Sequence, residues 1–598
     1  MRTRSTSSRR TGTPNERGAT MLDTLITGGL VVDGTGGAPY AGDVGIQDGR
    51  IVHVGPAGSG GAAARTVDAT GLVVTPGFVD PHTHYDAQLF WDPFATPSNV
   101  HGVTTVVGGN CGFTLAPIKP EDADYTRRMM AKVEGMPLEA LETGVPWSWE
   151  TFGDYLGALE GRIAVNAGFL VGHCALRRYV MGADAVGGQP TPEQQKRMEE
   201  VLAESIAAGG LGFSTTRSST HSDGDGQPVA SRHALPEEVV AFCGVVGRHE
   251  GTTLEFMTQG CLDQFSDDEI ALMTEMTATA KRPINWNVLT VDSRVPERVP
   301  RQLGASDAAR AKGGDIVALT MPVLVPMNMS FLTFCALNLI PGWGEILSLP
   351  VPERIAKLGD PAVRKEMLER ANSKEAGVLR RLADFRHYVI GDTYSAANEG
   401  LSGKVVGDLA KERGVDAFDL LVEIVSNDEL RTVLWPMPPD NDDATWALRQ
   451  QVWGDDRAML GGSDAGAHLD RMCGAPYTTR FLADMIRGRQ LVPLERAVQM
   501  ITQRPADLFG LKDRGTLREG AHADVVVFDP ETIGSENATL VKDLPGGAAR
   551  LTAGSTGMKH VFVNGVETVA DGAATGATPG TVLKSGRDTI TNRTDATA

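Results

Sequence analysis

PGFVDPHTHYD, residues 76–86, joins a short apolar strand to two closely spaced histidines. In a strand, residues i and i+2 point to the same side. His82 and His84 therefore project together from one strand end, with Asp80 and Asp86 beside them. Two imidazoles in this arrangement suit Zn²⁺ or a similar divalent ion. Because function lies at the carboxyl ends of the strands in a (β/α)₈ barrel, the stretch predicts a metal site in such a fold.

The chain around this stretch predicts an α/β fold, a (β/α)₈ TIM barrel. Short apolar strands alternate with helical stretches, and this alternation is typical of a parallel sheet. An open doubly wound sheet is the alternative, but neither a GxGxxG motif after a strand nor a P-loop supports it. Eight strand candidates fit a barrel with insertions: GFVDPHTH, then residues 102–109, 164–173, 210–216, 252–258, 283–289, 387–391 and 458–464.

Both ends of the chain predict β-structure. Residues 21–75 and 515–585 contain short strands and glycine turns, and we expect them to form one composite β-sandwich around a barrel domain at residues 76–514. Residues 292–385 form a long stretch between strand candidates, which indicates either a substrate lid or extra helices packed on the barrel. We expect residues 1–20 to be a disordered tail and residues 586–598 a C-terminal tail.

Composition excludes several classes of protein. The 598 residues are 41% hydrophobic, which allows a large core and more than one domain. A net charge of -19 argues against a nucleic-acid partner. Six scattered cysteines without a CxxC pair indicate a reducing compartment, and no apolar run reaches the roughly 18 residues of a membrane span. No apolar segment follows the Arg9-Arg10 pair, so we expect a cytoplasmic protein rather than an exported one.

Two further strand ends carry candidate metal ligands. Cys111 lies in GGNCGFT among glycines, where it is either a soft metal ligand or a small buried apolar residue. Asp464 lies in LGGSDAGAH at the end of a late strand. Its carboxylate is either placed to contact a metal and move protons, or caps the next helix. From the residues alone, both interpretations remain open at each position.

Other polar residues lie near strand ends. His173 and Arg177 follow a strand in LVGHCALRR. The loop STTRSSTHSDGDGQPVASRHA contains Arg217, His221 and Arg232, and is either a solvated loop or part of a site. Its Asp-x-Asp pattern lacks the glutamate spacing of an EF-hand.

Taken in order, PGFVDPHTHYD, GVTTVVGGNCG, VGHCALR, GGSDAG and PADLFGLKDRGTLREGAHADVVVFD resemble the amidohydrolase superfamily, in its branch of D-aminoacylases (N-acyl-D-amino-acid deacylases). The resemblance covers roughly residues 22 to 585. It implies a TIM barrel flanked by a small β-sandwich from both chain ends. It also implies metal ligands at His82, His84 and Cys111, and a general acid/base at Asp464.

The chain departs from this family at two strands. Such deacylases place a histidine at the end of the fifth strand and another at the end of the sixth, where this chain has TTLEFMTQG and RPINWNVLTVD. Glu255 and Asn287 are the nearest polar residues. We therefore expect one ion rather than two, with the second position empty or rebuilt around Glu255.

The usual contact to a substrate carboxylate also differs. A basic residue that the family uses near the sixth strand is absent, and Val288 and Leu289 lie there. The substrate therefore need not be a simple N-acyl-D-amino acid held in the usual way. Arg177, Arg217 or Arg232 is then expected to contact a substrate anion, with Asn287 and His221 as further substrate-binding candidates.

The expected reaction is hydrolysis of a small-molecule amide. A divalent ion, Zn²⁺, held by His82 and His84 with Asp464 and Cys111, would lower the pKa of bound water from 15.7 towards about 7. Asp464 would act as general base and then general acid, and His173 would stabilise the oxyanion.

Two alternatives stay open. A cyclic-amide hydrolase resembling hydantoinases would carry a lysine at the end of the fourth strand, and GLGFSTTR has none. A non-catalytic scaffold that kept the fold but lost its metals is the other. The sequence leaves the oligomeric state open, a homo-oligomer included.

Overall fold

The computed structural model describes residues 21–332, 335–438 and 440–594. The expected disorder of residues 1–20 and the Arg9-Arg10 pair lie outside these ranges. Within them, no helix combines the length and the hydropathy that a bilayer crossing requires.

The centre of the chain is a series of parallel strands. One sheet joins Phe78–Asp80, Val103–Gly108 and Asn166–Phe169. The other joins Val171–Gly172, Gly212–Thr216, Thr253–Met257, Ile284–Trp286, Ile316–Thr320 and Ala458–Leu460. All neighbouring pairs run parallel. Only Leu170 separates Phe169 from Val171, so the third strand passes from one sheet to the other. The described chain therefore has eight parallel strand positions, counted first to eighth from Phe78–Asp80.

Seven of the eight strand candidates lie in this series, but the assignment of residues 387–391 is wrong. Tyr388–Ile390 pairs antiparallel with Leu434–Pro436 in a separate two-stranded sheet. The seventh parallel strand is Ile316–Thr320, which lies between the sixth and the eighth. Both candidates are short and apolar, and only the pairing partner distinguishes them.

The insertion lies later in the chain than the sequence predicts. Residues 292–385 contain a helix, Arg298–Arg310, and the seventh strand, so they are not one inserted segment. Residues 321–438, which make up most of the segment between the seventh and eighth strands, have a hydrophobic core of their own, and we call them the insertion. In that core the Phe385 ring stacks on Trp343 and Phe418, with centroids 5.9 and 4.7 Å apart.

Helices alternate with the parallel strands and also build much of the insertion. Capping boxes begin several of them, as where Ser266 and Glu269 exchange hydrogen bonds at the start of Asp267–Ala280. The α-helices of the described chain are Ala123–Val133, Leu138–Gly144, Phe152–Leu159, His173–Met181, Pro192–Ala208, Pro236–Val246, Asp267–Ala280, Arg298–Arg310, Trp343–Leu347, Val351–Gly359, Pro361–Ala371, Val406–Arg413, Ala417–Asn427, Asp443–Gly454, Tyr477–Ile486, Leu494–Ile501 and Gln503–Leu508.

A further sheet contains strands from both ends of the chain. Val73–Pro76 pairs antiparallel with Val525–Phe528 and joins the two groups of strands. The sheet runs in the order Ala573–Ala574, Val566–Ala570, Met558–Val563, Val525–Phe528, Val73–Pro76, Leu22–Val31, Tyr40–Gln47 and Arg50–Pro56, with Ala63–Asp68 beside Leu22–Val31. Two small hairpins pair Gly534–Ser535 with Ser555–Thr556 and Thr539–Val541 with Arg550–Thr552.

The first described part of the expected C-terminal tail is attached to the parallel sheet region. The Thr589 hydroxyl donates a hydrogen bond to the carbonyl of Gly251 at 2.6 Å. The backbone N–H of Ile590 donates to the carbonyl of Gly510 at 2.7 Å. Residues 586–591 therefore pack against the helices and loops that follow the fourth and eighth strands.

Candidate metal centre

His82 and His84 follow the first parallel strand and face one carboxylate. The Nε2 atom of each ring lies 3.3 Å from Oδ1 of Asp464. The two ring centroids are 5.3 Å apart, and each residue is 1% exposed. Burial lowers the pKa of His82. Burial would also lower the pKa of His84, but Glu134, Asp464 and Asp86 outweigh it and raise it to about 10.

Asp464 is held in a loop after the eighth strand rather than at a helix start. The next α-helix begins at Tyr477, so the helix-cap interpretation does not apply. The Asp464 backbone adopts a positive φ of 58° and donates a hydrogen bond to the carbonyl of His82 at 3.2 Å. Gly466 lies so close to His84 that a Cβ there would be 2.5 Å from its carbonyl oxygen. The Asp464 side chain keeps 32% of its surface accessible.

Cys111 brings a sulfur atom to the same place. It lies in a tight turn after the second strand, with a positive φ of 54°, and its Sγ is 3.6 Å from His82 Nε2. One donor atom from each of His82, His84 and Cys111 lies within 4.8 Å of the others. Burial and the nearby carboxylates raise the pKa of the Cys111 thiol well above its ordinary value. A thiolate at this position therefore needs a bound cation to stabilise it.

Glu255 and Asn287 replace the expected histidines and lie beside Cys111. Glu255 is fully buried, and its Oε2 accepts a hydrogen bond from the Cys111 backbone N–H at 2.8 Å. Its Oε1 has no hydrogen-bond partner among the described residues, and burial raises its pKa to about 8. The Nδ2 atom of Asn287 lies 3.5 Å from His82 Nε2 and 3.6 Å from Cys111 Sγ.

Three residues of the site were not anticipated from the sequence. Glu134 follows the helix Ala123–Val133, and its Oε2 lies 3.7 Å from His84 Nε2. His468 Nε2 lies 3.6 Å from Asp464 Oδ2, and Arg471 donates to His468 Nδ1 at 3.1 Å. His468 falls four residues after Asp464 in the quoted motif, so that spacing was an available signal. Glu134 belongs to no motif.

His173 and Arg177 lie outside the site, contrary to expectation. The His173 ring hydrogen-bonds to Thr215 Oγ1 at 2.8 Å and to Glu238 Oε1 at 2.7 Å, so both ring nitrogens have partners. Arg177 is fully buried and binds Glu238 Oε2 at 2.5 Å and the Gly188 carbonyl at 2.7 Å. Both residues bond to Glu238 of the helix Pro236–Val246, and neither is among the described residues that line the cavity containing His82 and His84.

Two arginines of the loop after the fourth strand bond to backbone carbonyls. Arg217 donates to the Ala234 carbonyl at 2.8 Å, and Arg232 donates to the His221 carbonyl at 3.0 Å. Neither is among the described residues that line the cavity containing the candidate metal ligands, whereas His221 and Asn287 are. Of the proposed substrate contacts, the structure therefore brings only His221 and Asn287 to the site.

The cluster lines a cavity of about 870 Å³. His82, His84, Cys111 and Asp464 line it together with residues of the insertion, of the loop after the eighth strand and of the segments around Glu134 and His221. Two imidazole nitrogens, a sulfur and a carboxylate that converge at the carboxyl ends of parallel strands are a donor set that fits a divalent metal ion.

This combination of parallel strands and a histidine, cysteine and carboxylate cluster is that of a metal-dependent α/β hydrolase. The chain belongs to the amidohydrolase family, whose family model matches residues 65–574. It is a metal-dependent amidohydrolase, a hydrolase of carbon–nitrogen bonds other than peptide bonds.

Individual relatives agree with this assignment. A D-aminoacylase from Alcaligenes xylosoxydans xylosoxydans is 29% identical over 565 residues, which cover 94% of this chain and 97% of the relative. An N-acyl-D-glutamate deacylase from Bordetella bronchiseptica, solved with zinc and a phosphonate mimic of the tetrahedral intermediate, is 26% identical with a TM-score of 0.61. A D-aminoacylase structure that addresses one-metal activation and second-metal attenuation at a binuclear centre is also 26% identical, with a TM-score of 0.62. Both structures are matched over 94% of this chain and 100% of their own.

Proposed function

We propose that this protein is a deacylase that hydrolyses the amide bond of an N-acyl-D-amino acid or a closely related amide, with one zinc ion. The observation that carries the proposal is the convergence of His82 and His84 on Asp464 at 3.3 Å, with Cys111 beside them. The relatives described above, named for D-aminoacyl substrates, support the substrate class.

The fold that we propose for this chemistry is a closed (β/α)₈ barrel. The passage of the third strand between the two parallel sheets supports it, as does the hydrogen bond from Asp464 after the eighth strand to His82 after the first. We further propose that residues 21–75 and 515–585 form one composite β-domain, supported by the pairing of Val73–Pro76 with Val525–Phe528.

His82, His84, Cys111 and Asp464 would hold the ion, with Glu134 adjacent. A single ion fits better than two, because Glu255 and Asn287 stand where the family places histidines. The fully buried Glu255 bonds to the Cys111 backbone, which positions the cysteine turn. The bound ion would polarise the amide carbonyl and acidify a water molecule.

Asp464 is placed to carry the proton. Its Oδ1 faces the two histidines, while Oδ2 lies 3.6 Å from His468 on the cavity side. Oδ2 takes a proton from the attacking water as the water oxygen adds to the carbonyl carbon. It then gives that proton to the nitrogen as the carbon–nitrogen bond breaks, so the products are a carboxylic acid and an amine. His468, with Arg471 hydrogen-bonded behind it, orients this carboxylate.

The cyclic-amide alternative is less well supported. The fourth strand, Gly212–Thr216, ends in threonine followed by Arg217, where a hydantoinase-like site needs a lysine. The position of Cys111 argues against a scaffold without metal, because its buried thiol lies 3.6 Å from His82 Nε2 and within 4.8 Å of a ring nitrogen of His84, where a metal ion could bind all three.

The test combines metal content with turnover. Asp464→Asn keeps the size of the side chain but removes the base. His82, His84 and Cys111 remain to hold the ion, so we expect the variant to retain zinc and to lose about 100- to 10,000-fold in kcat. Zinc is measured by elemental analysis, and turnover on N-acetyl-D-amino acids with added zinc. Asp456→Asn, at an exposed carboxylate just before the eighth strand, is the matched control. Full activity of Asp464→Asn, or wild type that binds no zinc, would contradict the proposal.

A further inference from the structure

His221 places an imidazole in the cavity that contains the candidate metal ligands. It lies in the loop after the fourth strand and lines this cavity together with His84, Cys111 and Asp464. Its ring packs against Phe113, with centroids 5.2 Å apart, and Phe113 directly follows the turn that carries Cys111. The hydrolysis proposed above leaves this imidazole without a role.

The fourth strand ties His221 to the region of the cysteine turn. Thr216, the last residue of that strand, pairs with Met257 of the fifth strand, and the Met257 sulfur lies 3.9 Å from Cys111 Sγ. The Thr216 hydroxyl oxygen also lies 2.9 Å from Nδ1 of the His221 ring. One strand end therefore connects the imidazole to the sulfur of a candidate ligand.

Thr216 determines which ring nitrogen of His221 carries the proton. Its Oγ1 accepts a hydrogen bond from the Ser218 backbone N–H at 3.1 Å. Its own proton has no acceptor other than His221 Nδ1 among the described residues, so the hydroxyl donates to Nδ1. A neutral imidazole that accepts at Nδ1 carries its proton on Nε2. His221 therefore has an N–H donor at Nε2.

This donor is neutral and unused. The Nε2 atom of His221 has no hydrogen-bond partner in the part of the chain that the structure describes. Burial and the positive charges of His468 and His84 lower the pKa of His221 to about 3, against the opposing effect of Asp464. The ring is therefore neutral near pH 7. It can stabilise negative charge that develops on a substrate atom without adding a positive charge beside the metal ion.

The loop also holds His221 through its backbone. The His221 N–H donates to the Ser218 carbonyl at 3.2 Å, and the Arg232 guanidinium donates to the His221 carbonyl at 3.0 Å. The Val229 N–H donates to the same carbonyl at 3.4 Å. Because the donor is fixed before a substrate binds, little reorganisation is needed during the reaction, and such donors are the most effective in catalysis.

Resting on the function proposed above, we propose that His221 is a catalytic residue whose Nε2–H donates a hydrogen bond to the oxygen of the scissile amide. As the water oxygen adds to the carbonyl carbon, the π electrons of the carbonyl move onto that oxygen, and the hydrogen bond strengthens with its negative charge. The proton stays on Nε2, so the proton transfers remain with Asp464. Thr216 is a positioning residue, because it acts through the imidazole. His221 thus takes the role that the sequence indicated for His173.

Turnover of two His221 variants tests this role. His221→Leu removes the donor and should lower kcat by about 100- to 1,000-fold, with KM within about threefold of wild type. His221→Gln carries an amide N–H that reaches nearly as far as Nε2, and should recover at least about tenfold of the lost kcat. Rates are measured on the N-acetyl-D-amino acid that wild type hydrolyses fastest. Thermal melts and zinc content confirm that each variant is folded and loaded.

His233 provides a matched control in the same loop. Its Nε2 bonds to the Pro228 carbonyl at 3.2 Å, and it is not among the described residues that line the cavity. His233→Leu should therefore keep the kcat of wild type.

Two kinetic results would overturn the inference while the proposed function stands. One is a kcat of folded, zinc-loaded His221→Leu equal to that of wild type. The other is a raised KM at unchanged kcat, because that pattern reports contact with the bound substrate and not with the transition state. If wild type hydrolyses no N-acetyl-D-amino acid, the proposed function fails, and the assignment of His221 fails with it.

Binding of a tetrahedral analogue gives a readout that is independent of turnover. In the methylphosphonamidate of the same D-amino acid, a tetrahedral phosphorus with a charged oxygen replaces the carbonyl carbon. Calorimetry should show that His221→Leu binds this analogue at least about thirtyfold more weakly than wild type, but the free D-amino acid less than about threefold more weakly. Equal losses for the two ligands would contradict a role in the transition state.

The protonation of the His221 ring tests the positioning role of Thr216. Nitrogen-15 chemical shifts distinguish a proton on Nε2 from one on Nδ1, and the signals of His221 are those absent from His221→Gln. We expect the proton on Nε2 in wild type and in Thr216→Ser, which keeps the hydroxyl. Thr216→Val removes it, and should populate the Nδ1–H form and lower kcat roughly tenfold. A wild-type ring protonated at Nδ1 would refute the assignment.

Discussion

Glu134 shows how a side chain from outside the strands joins the proposed metal ligands. It ends the helix Ala123–Val133, and its backbone carbonyl accepts a hydrogen bond from the His468 N–H. Burial raises the pKa of its carboxyl to about 7, against the opposing effect of His84. A carboxylate 3.7 Å from a histidine Nε2 is well placed to orient that ligand.

Replacing Glu134 by glutamine should weaken zinc binding about 10- to 100-fold, as loss of an outer partner of a metal ligand does. The affinity is measured by competition with a chelator, together with a thermal melt that checks folding. Glu139→Gln, on the exposed side of the next helix, is the matched control and should bind zinc as wild type does. Wild-type affinity in Glu134→Gln would show that the carboxylate does not act on the metal site.

The residue types of the candidate metal site were partly recognisable in the sequence. His82, His84, Cys111 and Asp464 follow apolar strands, and the structure brings them together. Glu134 could not be found this way, because it lies at a helix end more than twenty residues from the nearest of these ligands along the chain. His173 also follows a strand but serves packing, since a strand end does not reveal whether a polar group meets a cavity or a neighbouring helix.

At the scale of elements, Arg177 ties two helices together. The helix His173–Met181 carries it, and its guanidinium binds Glu238 of the helix Pro236–Val246. The side chains are 0% and 4% exposed. A buried carboxylate and guanidinium depend on each other, because each has lost its hydration.

Arg177→Met should therefore destabilise the fold by about 3–5 kcal/mol, since it leaves the buried Glu238 carboxylate without its guanidinium and with only the His173 ring as a partner. Chemical denaturation measures the loss. The double variant Arg177→Met with Glu238→Leu should recover a large part of it. If Arg177 instead contacted the substrate anion, as the sequence suggested, the single variant would raise KM and leave the unfolding free energy unchanged.

The local sequence pattern identifies strands but does not determine which strands pair. Seven parallel strands were recognisable as apolar runs between helices. Residues 387–391 have the same pattern as Ile316–Thr320, yet one pairs in the insertion and the other beside the sixth strand. The partner of a strand depends on contacts with residues distant in the chain. A short stretch of sequence does not contain this information.

For the molecule as a whole, a buried polar cluster connects the sheet of the chain ends to the parallel strands. Asp524 binds Arg514 and accepts a hydrogen bond from the Asn564 backbone at 2.8 Å. Asn166 of the third strand donates to Asp524 at 3.2 Å and accepts from Asn564 Nδ2 at 2.9 Å. The cluster therefore couples three distant parts of the sequence.

We expect Asp524→Ala to lower the free energy of unfolding by about 3–5 kcal/mol, because Arg514 keeps its charge in a buried place without a counterion. Asp513→Ala, at a half-exposed carboxylate that pairs with Arg518, should cost about 1 kcal/mol or less. Equilibrium denaturation followed by fluorescence and circular dichroism gives both values. Equal effects of the two variants would show that the buried cluster does not hold the parts together.

The pairing of Val73–Pro76 with Val525–Phe528 has a consequence for how the chain is made. At about 5–20 residues per second, roughly 450 residues of synthesis, on the order of half a minute or more, separate these two strands on the ribosome. During that interval the first group of strands presents an open edge of unpaired N–H and carbonyl groups, which other nascent chains can join. A circular permutant that joins the two ends of the chain would shorten the interval between synthesis of these two strands. It should therefore raise the yield of soluble protein at high expression rates.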